Sequence, residues 1–155
     1  MNISKTTYLS KKGMKELKKD ISQLERDRRQ TIIELHEQDK TDGHDERLAR
    51  IEKLATLDSI EQELTEKQTL LSSARPYPRR GDSRHVDIGS VVELINASGR
   101  KFIYTIVDSV EADPSDGRIS AKSPLGQNLL GKSISDTIHW GSDGSKNKLQ
   151  LIRIS

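Results

Sequence analysis

Cysteine is absent from the 155 residues, which excludes a disulfide scaffold, thiolate catalysis and any Cys-ligated zinc or iron–sulfur site. Aromatic residues make up 3% of the chain, with one Phe, one Trp and three Tyr. That is too few to line an aromatic pocket, so prolyl isomerase activity is not expected. No apolar run approaches the roughly 20 residues of a membrane span, and the N-terminus carries no signal-peptide core. A soluble cytoplasmic protein is the expectation. An excess of one charge is also missing, because 26 basic residues stand against 24 acidic ones for a net charge of +2. Composition alone therefore does not announce a nucleic-acid binder. Hydrophobic and charged residues each make up 32%, so the core must be thin and divided. A helical hairpin suits that shortage better than a compact globule.

Proline is absent from Lys11 to Gln38, where Gly13 is the one glycine and Ser10 precedes as a candidate cap. Met14, Leu17, Ile21 and Leu24 step by 3, 4 and 3, the seam of a coiled coil, and the pattern resumes at Leu35. A second helix is expected from Asp45 to Ala74, with Leu57, Ile60, Leu64 and Leu71 on its seam and Leu48, Ile51 and Leu54 continuing it. Facing residues of an antiparallel hairpin have numbers of constant sum. Met14 with Leu71 and Ile21 with Leu64 give 85, Leu24 with Ile60 gives 84, and Leu35 with Ile51 gives 86. The turn is then centred on Asp42-Gly43, at the end of a rod roughly 40 Å long.

The stretch Arg75-Pro-Tyr-Pro-Arg-Arg-Gly-Asp stops the helix, because each proline removes a donor and restrains the residue before it. Beyond it the β-branched runs Val91–Ile95, Lys101–Val107, Arg118–Ala121, Thr137–Trp140 and Leu149–Ile154 predict strands. One short helix is expected near Gly126–Leu130. The domain reading is a hairpin over 1–75, a linker over 76–85 and a small antiparallel sheet with one helix over 86–155. The fold class is α+β.

Gly126-Gln-Asn-Leu-Leu-Gly-Lys-Ser133 satisfies the P-loop expression. A phosphate loop must run into a helix, and the β-prone Ser133-Ile-Ser-Asp-Thr-Ile-His-Trp does not supply one. Nor is the turn an EF-hand, since aligning Gly43 with the required glycine puts Gln38 and Lys40 where carboxylates belong. The turn is nevertheless acidic. Glu37, Asp39, Asp42, Asp45 and Glu46 face a single Lys40, a net charge of −4 in ten residues. Asp42 as N-cap and Asp45 three residues later would account for two acids as a capping arrangement. Glu37 and Asp39 sit where the helix dipole disfavours them, so cation binding, most simply Mg²⁺, is the functional alternative. Arg26, Arg28 and Arg29 fit either helix ion pairs or contacts to a nucleic-acid backbone.

The order of parts resembles the bacterial Gre-type transcription elongation factors, also called transcript-cleavage factors. Leu9-Ser-Lys-Lys-Gly-Met-Lys-Glu-Leu, Arg28-Arg29 followed by Ile32-Ile33, Leu71-Ser-Ser-Ala, and Ser123-Pro-Leu-Gly-Gln-Asn-Leu-Leu-Gly-Lys carry the resemblance over nearly the whole chain. The last looks like the family signature S-P-L-x-x-A-L-L-G-K, which also explains the P-loop match. The resemblance implies an FKBP-like C-terminal domain that docks on RNA polymerase, with Ser123, Pro124, Leu125, Leu129, Leu130 and Gly131 in the partner-binding segment. The coiled coil would enter the secondary channel as a monomer. It also implies that Asp42 and Asp45 hold Mg²⁺ shared with the polymerase active site, which itself cuts backtracked RNA. Arg28 and Arg29 would contact the nascent RNA near its 3′ end.

At the tip the family pattern G-D-x-x-E-N-A-E-Y meets Thr41-Asp-Gly-His-Asp-Glu-Arg-Leu-Ala49. Asp45 takes the place of the glutamate, and a one-residue shift would align Glu46 instead. The chain would thus be an accessory factor that stimulates cleavage by the polymerase. The alternative is a regulator that occupies the channel and inhibits synthesis.

Overall fold

The computed structural model describes residues 6–38, 43–78, 84–139 and 148–155. It comprises two compact units: Lys11–Ala74 form the first, and Thr7–Ser10 join Arg75–Ser155 in the second. The N-terminal strand thus belongs with the C-terminal unit, a grouping that a division of the chain at residue 75 does not anticipate. In chain order the elements begin with β1 (Thr7–Leu9), α1 (Lys11–Gln38), α2 (His44–Ser73) and β2 (Ala74–Pro76). After them come β3 (Val91–Asn96), β4 (Lys101–Val107), β5 (Arg118–Ser120), α3 (Pro124–Leu129), β6 (Thr137–His139) and β7 (Lys148–Ile154). The helices and the five predicted strands match their expected bounds closely.

In the hairpin, α1 and α2 meet along one seam. Leu17, Ile21, Thr31 and Leu35 are buried on α1, and Leu64 on α2. Besides Arg50, Leu70 and Ser73, the half-buried positions of α2 are Lys53, Leu57, Ile60, Lys67 and Leu71, and these five with Leu64 step by 4, 3, 4, 3 and 4, the heptad rhythm. Thr31 satisfies its hydroxyl within its own helix, donating to the Asp27 carbonyl at 2.8 Å. The polar seam residues pair across the hairpin: Lys67 with Asp20 at 3.3 Å, Arg28 with Glu61 at 3.0 Å, and Lys53 with Glu34. The Lys53 ammonium, and after it the Gln30 amide, hold the Glu34 carboxyl below its usual range.

These pairs correct the register near the turn. Their residue numbers sum to 87 or 89, and the α2 seam runs through Lys53 instead of Leu54 and Ile51. Ile51 is 62% exposed, and Leu48, Leu54 and Ile33 are also exposed, so Leu35 does not bury Ile51. The reason lies in the phase of the heptad. Stepping back from Leu57 by four reaches Lys53, whose long stem can cover the seam while its ammonium meets Glu34.

The second unit is a five-stranded sheet of order β5-β4-β3-β7-β6 beside a separate β1–β2 pair. All neighbours are antiparallel except β4 and β5, which run parallel, so the sheet is mixed where an all-antiparallel one was expected. Two short 3₁₀ turns, Ser109–Glu111 and Pro114–Asp116, carry the chain between the parallel strands. The core gathers Val92, Leu94, Ile106, Ile138 and Leu151 from the sheet with Leu125 and Leu129 from α3. Alternation along β3 places Val92 and Leu94 inward, each fully buried.

A polar clasp joins the ends of this discontinuous unit. Glu111 accepts hydrogen bonds from the Ser10 amide at 3.0 Å, the Ser10 hydroxyl at 2.7 Å and the Tyr77 hydroxyl at 2.6 Å. Asp108 accepts from the Tyr8 amide at 3.2 Å, and its own amide donates to the Tyr77 oxygen at 3.1 Å. The Tyr8 and Tyr77 rings stack at 6.0 Å. Burial, and then the Glu111 carboxylate, push the Tyr77 phenol well above its ordinary value.

Candidate functional site

The first turn of α2 decides what its acids can do. Its N-cap is Gly43, in extended backbone, and not Asp42. Glycine has no side chain to offer, so only the return arm of a capping box forms. The Gly43 amide donates to Glu46 Oε2 at 2.6 Å, and the Arg47 amide to the Gly43 carbonyl at 3.2 Å. Glu46 is therefore occupied in starting the helix. Asp45, one residue earlier, is exposed, and no ion pair or hydrogen bond engages its carboxylate among the described residues. Asp42 lies outside the described residues.

For Mg²⁺ the donor set fits in one limited sense. Asp45 is a hard oxygen ligand open to solvent, and Mg²⁺ is commonly held by one or two carboxylates with the remaining positions filled by water or a partner. Among the described residues no three His, Cys, Asp or Glu side chains gather to form a self-contained site. The tip can supply ligands to a metal held elsewhere; it does not enclose one by the residues described.

The two arginines separate in the structure. Arg28 turns toward α2 and pairs with Glu61, whereas Arg29 is exposed with no ion pair among the described residues. Sequence spacing treated them alike; the seam phase distinguishes them, since Arg28 falls between Leu24 and Thr31 on the packed face.

The segment Ser123–Gly131 is accounted for by folding. Ser123 caps α3, accepting from the Gly126 amide at 3.1 Å and donating to the Ser120 carbonyl at 2.7 Å. Pro124 follows in the first turn, where its missing N–H costs nothing. Leu125 and Leu129 are buried in the core, and Leu130 packs against it. Gly131 has φ +78°, a left-handed conformation that favours glycine, and its amide reaches the Val86 carbonyl at 2.8 Å. Leu125 and Leu129 are thus core residues of this unit, and the surface of the expected partner-binding segment comes from its other side chains. The exposed side chains of α3 are Pro124, Gln127 and Asn128. The P-loop expression fails here too. The helix ends at Leu129, before Gly131-Lys132-Ser133, and the Ser133 hydroxyl lies 2.9 Å from His85 Nδ1 in a β-bridge.

Comparison with known proteins identifies the family. Residues 81–155 match the family described as transcription elongation factor GreA/GreB, C-terminal domain. The transcription elongation factor GreA of Chloroherpeton thalassium is 32% identical over 139 residues, 88% of each chain. This chain belongs to the GreA/GreB family. GreA of Halalkalibacterium halodurans is 28% identical and aligned over 97% of both chains. Among solved structures, the GreA factor homolog Gfh1 of Thermus thermophilus aligns over 97% of this chain and 99% of its own at 23% identity, with a TM-score of 0.45. As a GreA/GreB member the chain is a transcription elongation factor of the Gre type, and its two units correspond to the helical hairpin and β domain expected from the sequence.

Proposed function

We propose that this chain binds RNA polymerase, inserts its hairpin into the secondary channel and stimulates cleavage of backtracked RNA by the polymerase's own active site. It acts as an accessory factor, in the cytoplasm and as a monomer. The observation that carries the reading is the division of labour at the start of α2: Glu46 closes the helix and Asp45 stays free. Asp42 and Asp45 are then the pair that would hold Mg²⁺ together with the polymerase. The ion, when bound, polarises water for attack on a phosphodiester. The chain's own part is to carry the two carboxylates to the site, Asp45 on the first turn of α2, where the dipole partly offsets its charge. Arg29 is the arginine available to the RNA backbone; Arg28 is engaged with Glu61.

The test is transcript shortening in a defined backtracked elongation complex with cognate polymerase. Asp45→Asn and Asp42→Asn should each lower Mg²⁺-dependent cleavage at least tenfold, the scale of losing a positioned charged ligand. Glu46→Gln should retain most activity, because glutamine also closes a capping box. Loss of cleavage in Glu46→Gln with activity retained in Asp45→Asn would transfer the role to Glu46.

A second reading, inhibition by channel occupancy, is favoured by the shorter reach of aspartate at position 45. Its signature is slowed nucleotide addition without cleavage, unchanged by Asp45→Asn.

A further inference from the structure

The last turns of the hairpin are held together by polar side chains. Leu35 is the last buried apolar residue of α1, and His36, Glu37 and Gln38 follow it to the end of the helix. On α2 the first apolar side chain that is even half-buried is Leu57. Between His44 and Thr56 only Arg50 and Lys53 are half-buried, while Leu48, Ile51 and Leu54 are 54%, 62% and 46% exposed. The phase of the seam accounts for this. With Lys53, Leu57, Ile60 and Leu64 facing α1, a step of about 100° per residue puts Leu54 on a flank and Ile51 and Leu48 on the far side of the helix.

A stretch of α2 with no buried apolar side chain stands near the balance point of helix formation. Leu, Ala, Arg, Glu and Lys fill most of residues 44–56 and are good helix formers. Glu46 closes the first turn through the Gly43 amide, and the stretch prolongs a helix already nucleated beyond it. Propagation adds little per residue, however, and isolated helices of this length are marginal in water. Lys53 ties the stretch to α1 by its ion pair with Glu34, the two side chains being 30% and 36% exposed. The pairs Lys67–Asp20 and Arg28–Glu61 fall instead in the part of the rod that buries Leu17, Ile21 and Leu64. There the ion pairs add to apolar packing; at Lys53 the pair stands in for it.

We propose that residues 44–56 open and close as one unit, and that Lys53, through Glu34, is the positioning residue that sets how often the first turn of α2 is formed. Closed, the unit keeps Glu46 on the Gly43 amide and leaves Asp45 as the exposed acid at a fixed place on the helix start. Open, Glu46 is released and both acids lose their frame. The consequence for cleavage rests on the proposed role of Asp45; the opening itself does not. Regions with few buried apolar contacts open at low free energy, and elements that must adapt to a partner are drawn from them. A partner that accepts only the closed form meets an affinity reduced by the closed fraction.

The experiment is native-state hydrogen exchange of the full chain, read amide by amide by NMR under conditions where reclosing outpaces exchange. After correction for intrinsic rates, the amides of residues 48–54 should exchange at least tenfold faster than those of residues 60–68. The Arg47 amide, bonded to the Gly43 carbonyl, should follow residues 48–54. Lys53→Gln and Glu34→Gln should each speed exchange across residues 47–54 by about two- to fivefold, the scale of a partly exposed ion pair. The double variant should add little to either single one, since both cut the same pair. Lys53→Leu should slow exchange at least fivefold by placing an apolar side chain in the seam. Residues 60–68 should stay within twofold throughout.

A smooth gradient of protection from residue 48 to 54, with no common response to Lys53, would reduce the effect to fraying of a helix end and overturn the proposal. Protection equal to that of residues 60–68 overturns it also, and additive single variants would remove the pair as its basis. In the backtracked complex, the concentration for half-maximal cleavage should follow the reciprocal of the closed fraction measured by exchange, at an unchanged saturating rate. A changed saturating rate would remove Lys53 as a positioning residue. Wild type that gives these exchange factors without cleaving RNA would sink the role of Asp45 and leave the opening in place, so failure of the two readings can be told apart.

Discussion

At the scale of single residues, the chain divides similar side chains between folding and exposure. Asp45 and Glu46 are adjacent acids, yet one amide, that of Gly43, claims Glu46. Tyr77 shows what such claims do to titration. Its phenol is half-buried and donates to Glu111, so the neutral form is favoured in the folded state and ionisation is driven above the ordinary value of about 10. The stability that comes with the neutral phenol is complete below that value and falls as pH rises past it. Tyr77→Phe should therefore unfold at lower denaturant concentration at pH 8, because Glu111 loses a donor, but lose less further stability than wild type between pH 10 and 11. Guanidinium midpoints at the three pH values check this; parallel decline in both proteins would rule it out.

The clasp was not legible in the sequence. Its bonds from Tyr8 and Ser10 join residues 100 and 101 positions apart, and nothing in local composition marks Glu111 as the partner of Ser10. The role of Glu46 was hidden for a different reason. Choosing the N-cap between Asp42 and Gly43 depends on backbone angles, and side-chain preference alone favours Asp42.

At the scale of elements, heptad spacing and turn chemistry placed both long helices, the five strands of the main sheet and α3, because those signals are local and repeated. Phase near the hairpin turn was harder to read. Leu48, Ile51 and Leu54 look like seam residues by type, yet the structure exposes them and runs the seam through Lys53. Apolar type outweighed spacing in that reading, and the cross-hairpin pairs of Lys53 and Lys67 show that spacing governs. Leu64→Ala should then cost about 2–4 kcal/mol as a large-to-small core change, whereas Ile51→Ala should stay within about 0.5 kcal/mol as a surface change. Urea unfolding of the two variants measures the contrast, and a comparable loss at Ile51 would restore the earlier register.

The parallel β4–β5 pair was equally invisible, since strand direction is set by the connection. The two 3₁₀ turns between these strands carry no periodic signature. In α3, Leu129 is fully buried, and Leu129→Ala should cost about 2–5 kcal/mol. Because the side chain touches no solvent, its effect on polymerase binding should track the loss of folded C-terminal unit and vanish at temperatures where the variant is fully folded.

At the scale of the whole molecule, two units share one chain, and the second is built from segments on both sides of residues 11–74. A fragment starting at Arg75 lacks the strand and the Ser10 donors that satisfy Glu111. It should melt several degrees lower than a chain in which residues 11–74 are replaced by a short flexible loop, by the usual scaling of about 4–8 °C per kcal/mol for a domain of this size. Scanning calorimetry of the two proteins decides it; equal melting temperatures would mean that residues 7–10 add nothing.

That discontinuity also bears on the order of events during synthesis. Residues 7–10 leave the ribosome early and cannot complete their unit until Glu111 follows. If the hairpin forms in the interval, it brings residue 11 beside residue 74, and the loop closed by the Ser10–Glu111 bonds shrinks from 101 residues to about 36. Loop-closure entropy costs about 0.6 kcal/mol per doubling of length, so the folded hairpin lowers the cost of the clasp by roughly 1 kcal/mol. The rod is thus a folding aid for the unit that follows it, drawing the two ends together before the sheet exists to receive them.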